Sequence, residues 1–218
     1  MFDRLIQLVQ PNQCFYDSSV FGWVSEVESH YPDIKRECLE LLGKRNEQVP
    51  NLQDIFVEQN QLTTGKDWRS FMLYFYGYRI PANCEACPIT DSVVRSIPGM
   101  KTAMFSILSP GKHIPAHRGP YKGVLRYHLG VQIPEKDGRC AIRVENQIAK
   151  WVEGKSLILD DILWHEAWND TGEYRVVLFI DFKRNLPFPI SAINTALFAI
   201  LRRTSFIANV LRKLNVKP

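Results

Sequence analysis

Between residues 101 and 182 the chain keeps one rhythm. Residues 102–108, 124–133, 140–145, 156–160 and 174–182 are short apolar or alternating runs. Turn residues punctuate them: Ser109-Pro110-Gly111, the stretch 134–138, Glu153-Gly154 and the stretch 170–173. Many short strands at close spacing predict a mainly β fold, a sandwich or jelly roll with flanking helices. A chain of 218 residues buries roughly 70 % of its unfolded surface, so such a fold needs no disulfides or structural metal. The apolar share of 45 % and charged share of 23 % exclude wholesale disorder and a polytopic membrane protein.

Around this core the sequence divides into three. Residues 1–66 read as a helical and irregular region packing on the core. Residues 67–186 form the β domain, and residues 187–218 a basic, amphipathic helical tail, all within one domain. Ile34, Cys38, Leu41 and Leu42 recur at helical spacing, which predicts a helix over 33–45 with Asp33 in its first turn. A polar stretch rich in Gln and Asn runs on from Pro50 to Lys66 as a connection. Residues 68–78, dense in aromatics, predict a strand; 81–88 reads as loop and 91–97 as a short helix.

The net charge of +4 is unevenly spread. From residue 189 onward there are five basic residues and no acid, against 22 basic and 23 acidic residues before it. A nearly neutral body argues against nucleic acid as a partner, which would need cations across the folded surface. The tail leaves contact with a membrane surface open. Cys14, Cys38, Cys84, Cys87 and Cys140 form no disulfide framework, and Cys84-Glu-Ala-Cys87 lacks the second pair of a zinc site. The start carries no signal-peptide core, so a cytoplasmic setting is expected, with the tail at most peripheral to a membrane.

Of five histidines, His113, His117 and His128 fall within sixteen residues, and His165 lies 48 residues beyond His117. A lone histidine is usually an ordinary surface or core residue. Four in the β region, with Arg126 and Arg175 close by, raise a metal site. Residues of equal parity share a strand face, so Arg126 and His128 point the same way. A hairpin turning near Asp170 puts Arg175 nearly opposite His165. Imidazoles suit iron(II) with open coordination positions, and guanidinium forks grip carboxylates. The pattern fits a pocket for a metal and a dianionic acid. The plainer alternative is a sandwich with surface histidines and structural salt bridges. His113, before Pro115, is placed outside the site.

The run Phe105-Ser106-Ile107-Leu108-Ser109-Pro110-Gly111, then His117-Arg118-Gly119-Pro120, then Leu125-Arg126-Tyr127-His128-Leu129-Gly130 resembles the aspartyl/asparaginyl β-hydroxylase family. Trp151, Gly154, Leu159-Asp160-Asp161, His165-Glu166-Ala167-Trp168, Arg175 and Asp181 continue the likeness in order. The resemblance implies a double-stranded β-helix that binds Fe(II) and uses 2-oxoglutarate and O2. By motif position His117 and His165 would be the iron ligands. Ser106, Arg126, His128 and Arg175 would hold the 2-oxoglutarate carboxylates, with His117, His165 and Arg175 the catalytic set. Most such oxygenases carry a carboxylate two residues after the first histidine. Here Gly119 stands in that position, as in the two-histidine type, where water takes the third place.

A second set of residues is similar to the bacterial lipid A and ornithine-lipid acyl hydroxylases of the same family. It comprises Trp68, Tyr76-Gly77, Cys87-Pro88, Arg95-Ser96-Ile97-Pro98, Ala103-Met104-Phe105 and Pro120-Tyr121. The lipid A branch departs in carrying Asp where this chain has Gly119, and in having membrane-spanning segments. The resemblance thus implies hydroxylation of an unactivated C–H bond, with 2-oxoglutarate converted to succinate and CO2. The expected substrate is an Asp or Asn residue, an amino acid, a peptide or another small molecule. A lipid acyl chain is the alternative, and a non-catalytic metal-binding jelly roll the second. Substrate-facing residues are expected from the N-terminal third. The tail either lies on an anionic membrane or packs against the β-helix.

Overall fold

The computed structural model describes residues 2–45, 49–56, 67–134 and 138–216. The N-terminal third builds α1 (Phe2–Val9), the short strand β1 (Phe15–Tyr16), and helices α2 (Val24–Ser29), α3 (Tyr31–Arg45) and α4 (Leu52–Ile55). Helix α3 begins two residues before the expected start. Asp33 sits in its first turn, where the helix dipole favours an acid. Most of the predicted polar connection, 57–66, lies outside the described residues.

The aromatic run from Trp68 is a hairpin and not one strand. It forms β2 (Trp68–Phe75), turns on Tyr76 and Gly77 at φ 47° and 80°, and returns as β3 (Tyr78–Arg79). Two successive left-handed residues make the tight turn whose twist matches paired strands. Residues 81–88, expected as loop, instead form α5 (Pro81–Ala86) and open α6 (Pro88–Ser96). Both helices begin with proline, which lacks only an N–H that the first helical turn leaves unpaired anyway.

Strands β4 (Met100–Leu108), β5 (Lys112–His117), β6 (Val124–Gln132), β7 (Cys140–Val144), β8 (Gln147–Lys150), β9 (Ser156–Leu159), β10 (His165–Asn169) and β11 (Arg175–Lys183) follow. They alternate between a sheet ordered β1-β9-β6-β11-β4-β2-β3 and a smaller one ordered β5-β10-β7-β8. This antiparallel jelly roll is the expected mainly β architecture. β5 buries only Ile114 and β8 buries nothing, which is why neither stands out as an apolar run. The hairpin expected to join His165 to Arg175 is not formed. β10 pairs with β5 and β7, while β11 pairs with β4 and β6 in the other sheet.

Parity divides the core. Val176, Leu178 and Ile180 of β11, with Leu125, Tyr127 and Leu129 of β6, face the helical layer and pack with Val27, Ile34 and Val94. Val177 and Phe179 face the other way, into the space between the sheets, with Ile114, Ile142 and Val144. Arg175 shares that inward parity. The chain ends in α7 (Ile190–Leu201) and α8 (Ser205–Lys213). Helix α8 turns Ile207, Val210 and Leu211 into the inter-sheet core, none more than 3 % exposed. Its apolar stripe is therefore a packing face, and Arg212 and Lys213 lie on the solvent side. In α7 only Asn194 and Phe198 are buried. Among the described residues no helix is long and apolar enough to cross a membrane.

Candidate active site

His117 ends β5, His165 begins β10, and the two are direct partners in the antiparallel register. Their ring centroids stand 4.2 Å apart. Each Nδ1 lies 2.9 Å from a carbonyl oxygen two residues back, that of Pro115 or of Leu163. A carbonyl only accepts, so each Nδ1 carries the proton and each Nε2 presents a lone pair. That is the form in which imidazole binds a metal. Burial lowers the pKa of both rings. For His165, with repulsion from His117 and Arg126 added, it falls to about 3.

Asp161 Oδ1 stands 3.3 Å from His165 Nε2. A lone pair facing a carboxylate is repulsive, and a cation beside both relieves it. The donor set therefore fits a metal ion. Among the described residues no group of three or more His, Cys, Asp or Glu is placed to hold a metal ion, so the donors are the two imidazoles. Asp161 also explains Gly119. A Cβ at residue 119 would stand 1.7 Å from Asp161 Oδ2, so the carboxylate already fills the room a side chain there would need. The neighbouring Asp160 points away, to Lys122 at 3.1 Å and Arg184 at 2.6 Å, in a buried ionic cluster. Two adjacent acids are thus divided between framework and site.

Ser106, His128 and Arg175 also turn into the inter-sheet space. Trp151 Nε1 donates to His128 Nδ1 at 3.2 Å, so the His128 proton sits on Nε2, a buried atom with no partner. Arg175 lies 4.6 Å over the Trp151 ring and donates weakly to the Ser106 carbonyl at 3.4 Å. Its Nε is likewise buried and unpaired. Burial pushes this guanidinium down to about 10. Ser106 Oγ accepts from Trp68 Nε1 at 3.0 Å, which leaves its own hydrogen to donate. Unpaired donors around a lone buried cation complement a carboxylate. The set fits an acidic co-substrate.

Arg126 shares the face of His128, as parity requires, but its guanidinium is already engaged. It contacts Asp161, donates from Nε to Asp181 at 3.0 Å, and lies 4.2 Å over the Phe179 ring. Arg126, expected at the co-substrate, is paired here with two carboxylates of the chain itself, one of which, Asp161, stands beside His165. His113 stands apart, half-exposed and 3.1 Å from Glu166. Cys84 and Cys87 are buried and in no disulfide, and Cys84 donates to the Leu73 carbonyl.

A cavity of about 410 Å³ reaches this centre. Leu52, Phe56, Met72, Phe75, Met104 and Phe206 wall it, while His117, Arg126, Asp161 and Asp181 line its polar end. Among the described residues the N-terminal third supplies only Leu52 and Phe56, while β2, β4 and α8 supply Met72, Phe75, Met104 and Phe206. Asp161, Asp181 and Trp151 lie within the motifs, but the sequence alone assigns them no role. The available signals were the four-residue spacing of Asp161 to His165 and the shared parity of Asp181 with Arg175 on β11.

The chain is similar to known proteins over most of its length. Residues 28–185 match the family model described as Aspartyl/Asparaginyl beta-hydroxylase. The ornithine lipid ester-linked acyl 2-hydroxylase of Rhizobium tropici is 47 % identical over 196 residues, 90 % of this chain and 69 % of that protein. The human aspartyl/asparaginyl beta-hydroxylase is 34 % identical over 164 residues, 72 % of this chain but 20 % of that protein. A cupin domain of an Enterobacter cloacae transcriptional regulator superposes with a TM-score of 0.37 at 9 % identity, covering 55 % of this chain and 99 % of that one. The family match spans both sheets and both histidines, and the chain belongs to the aspartyl/asparaginyl β-hydroxylase family.

Proposed function

We propose that the chain is an Fe(II)- and 2-oxoglutarate-dependent hydroxylase acting on a lipid acyl chain. The observation that carries this reading is the largely apolar cavity ending at His117, with the His165 ring centroid 4.2 Å away and both Nε2 atoms unprotonated. His117 and His165 would hold the metal. Ser106, His128 and Arg175 would bind a carboxylate of 2-oxoglutarate with the donors now unpaired. Asp161, kept in place by Arg126, would orient water or substrate beside the metal. The bound iron supplies oxygen activation: O2, 2-oxoglutarate and the C–H substrate become succinate, CO2 and the alcohol.

The walls of the cavity offer an alkyl chain dispersion and dryness, and they exclude the bulk water that would quench a reactive oxidant. The name of the Rhizobium relative, an acyl 2-hydroxylase, supports the same substrate class. The name of the human relative favours an Asp or Asn residue instead, and the polar end of the cavity is the feature that suits it. Incubation with Fe(II), ascorbate and 2-oxoglutarate tests the choice. Succinate should form in step with hydroxylation of an acyl lipid, and an Asp- or Asn-containing peptide should give none above background. The reverse pattern would return the substrate to the peptide class.

A further inference from the structure

Helix α7 is out of keeping with the rest of the surface. Its twelve residues carry no charge, yet only Asn194 and Phe198 are buried. Phe188, just before it, is 84 % exposed and Ile200 is 62 % exposed, with Ile193 also in solvent. A helix apolar all round is normally enclosed; this one is covered on one side only. Arg202 and Arg203 follow directly and are exposed. Through Tyr121, α7 also meets α1. The Tyr121 hydroxyl donates to Asn194, its ring stands 5.8 Å from Phe198, and Phe2 stacks on it. Helix α1 adds exposed Leu5, Leu8 and Val9 together with Arg4.

Behind this face, the buried side of α7 packs on towards the cavity. Phe198 packs on Tyr76, Tyr76 on Phe75, and Phe75 on Phe206, and the last three line the cavity wall. We propose that α7, with α1 beside it, docks on an anionic lipid bilayer and presents the cavity mouth to the membrane. Charge selects the occupant. Arg202 and Arg203, both exposed directly after α7 in a segment without an acid, suit anionic headgroups. A twofold contact with a second copy would instead set these arginines against each other. The docking face is α7 and not the basic amphipathic α8, whose apolar side is spent in the core.

The proposal deepens the acyl-chain reading and rests on it for its purpose, but its test is independent of turnover. Full-length protein, without iron or 2-oxoglutarate, is floated with vesicles of phosphatidylcholine alone or mixed with phosphatidylglycerol. Wild-type protein should rise with the anionic vesicles and be released by salt. Ile193→Ser with Ile200→Ser should weaken partition at least about tenfold, and Leu8→Ser in α1 should act in the same direction. Arg202→Ser with Arg203→Ser should cost about tenfold on anionic vesicles and little on neutral ones. All these side chains are exposed, so melting temperatures should hold. Wild-type protein left at the bottom overturns the proposal, as do serine variants that float like wild type. A dimer dispersed by the serine variants, without flotation, overturns it in favour of a second copy. Turnover of a water-soluble short-chain acyl ester checks the catalytic reading separately. Flotation without that turnover would leave docking standing and remove the acyl substrate.

Discussion

What separates His117 and His165 from His113 is the state of one nitrogen. In the first two, a backbone carbonyl claims the Nδ1 proton and leaves Nε2 free to ligate. In His113, Nε2 is engaged by Glu166 at the surface. His117→Ala and His165→Ala should each abolish Fe(II) binding in anaerobic titration while the circular dichroism spectrum is kept, and His113→Ala should bind normally. Loss of binding in the His113 variant alone would put the motif out of register. The two site arginines differ in the same way. Among the described residues Arg175 has no acid partner and Arg126 has two. Arg175→Ala should raise the 2-oxoglutarate requirement at least about tenfold, because charge-assisted hydrogen bonds are worth ~1.5–3 kcal/mol. Arg126→Ala frees Asp161 and should lower iron affinity or hydroxylation rate more than it changes 2-oxoglutarate affinity. Equal effects of both variants on 2-oxoglutarate would restore Arg126 to the co-substrate site.

At the level of elements, the paired histidines exist because β5 and β10 are adjacent in the smaller sheet and in register at their ends. The β9–β10 connection then brings Asp161 against Gly119. Gly119→Ala must displace that carboxylate, since no Cβ fits 1.7 Å from Oδ2. Iron affinity and turnover should fall together while most of the thermal stability survives. A variant with wild-type kinetics would show that Asp161 is free to move. The two tail helices predict opposite responses. Leu211 is fully buried in α8, and Leu211→Ala should cost ~2–5 kcal/mol in denaturant unfolding. Ile200→Ala on α7, more than half exposed, should stay within ~0.5 kcal/mol.

At the level of the whole molecule, two buried rings and the half-buried ring of His117 are held neutral between the sheets. The pKa of His117, His128 and His165 is lowered in the folded chain, chiefly by burial. The unfolded chain binds protons at its ordinary histidine pKa, near 6.5, where the folded chain does not. Stability therefore rises with pH through this window and is lost as pH falls below about 6.5 towards the folded value. The melting temperature of the metal-free protein should drop between pH 7 and pH 5, beyond what ordinary carboxylates explain, because those titrate lower. A flat profile there would mean the rings are solvated. The sequence by itself determined the strand rhythm, the parity that puts Arg126 with His128, and the ordered motif that names His117 and His165. These are local or strictly periodic signals, carried by side-chain alternation and turn residues within a few positions. Proline is ambiguous even locally, since it opens helices as readily as it marks loops, and so α5 reads as loop from its sequence. Only the tertiary structure decided that His165 and Arg175 lie in different sheets, that Asp161 and Asp181 claim Arg126, and that α8 is core while α7 is surface. Each of those depends on which segments cross between the sheets and meet there, and contacts between residues dozens of positions apart leave no period in the chain.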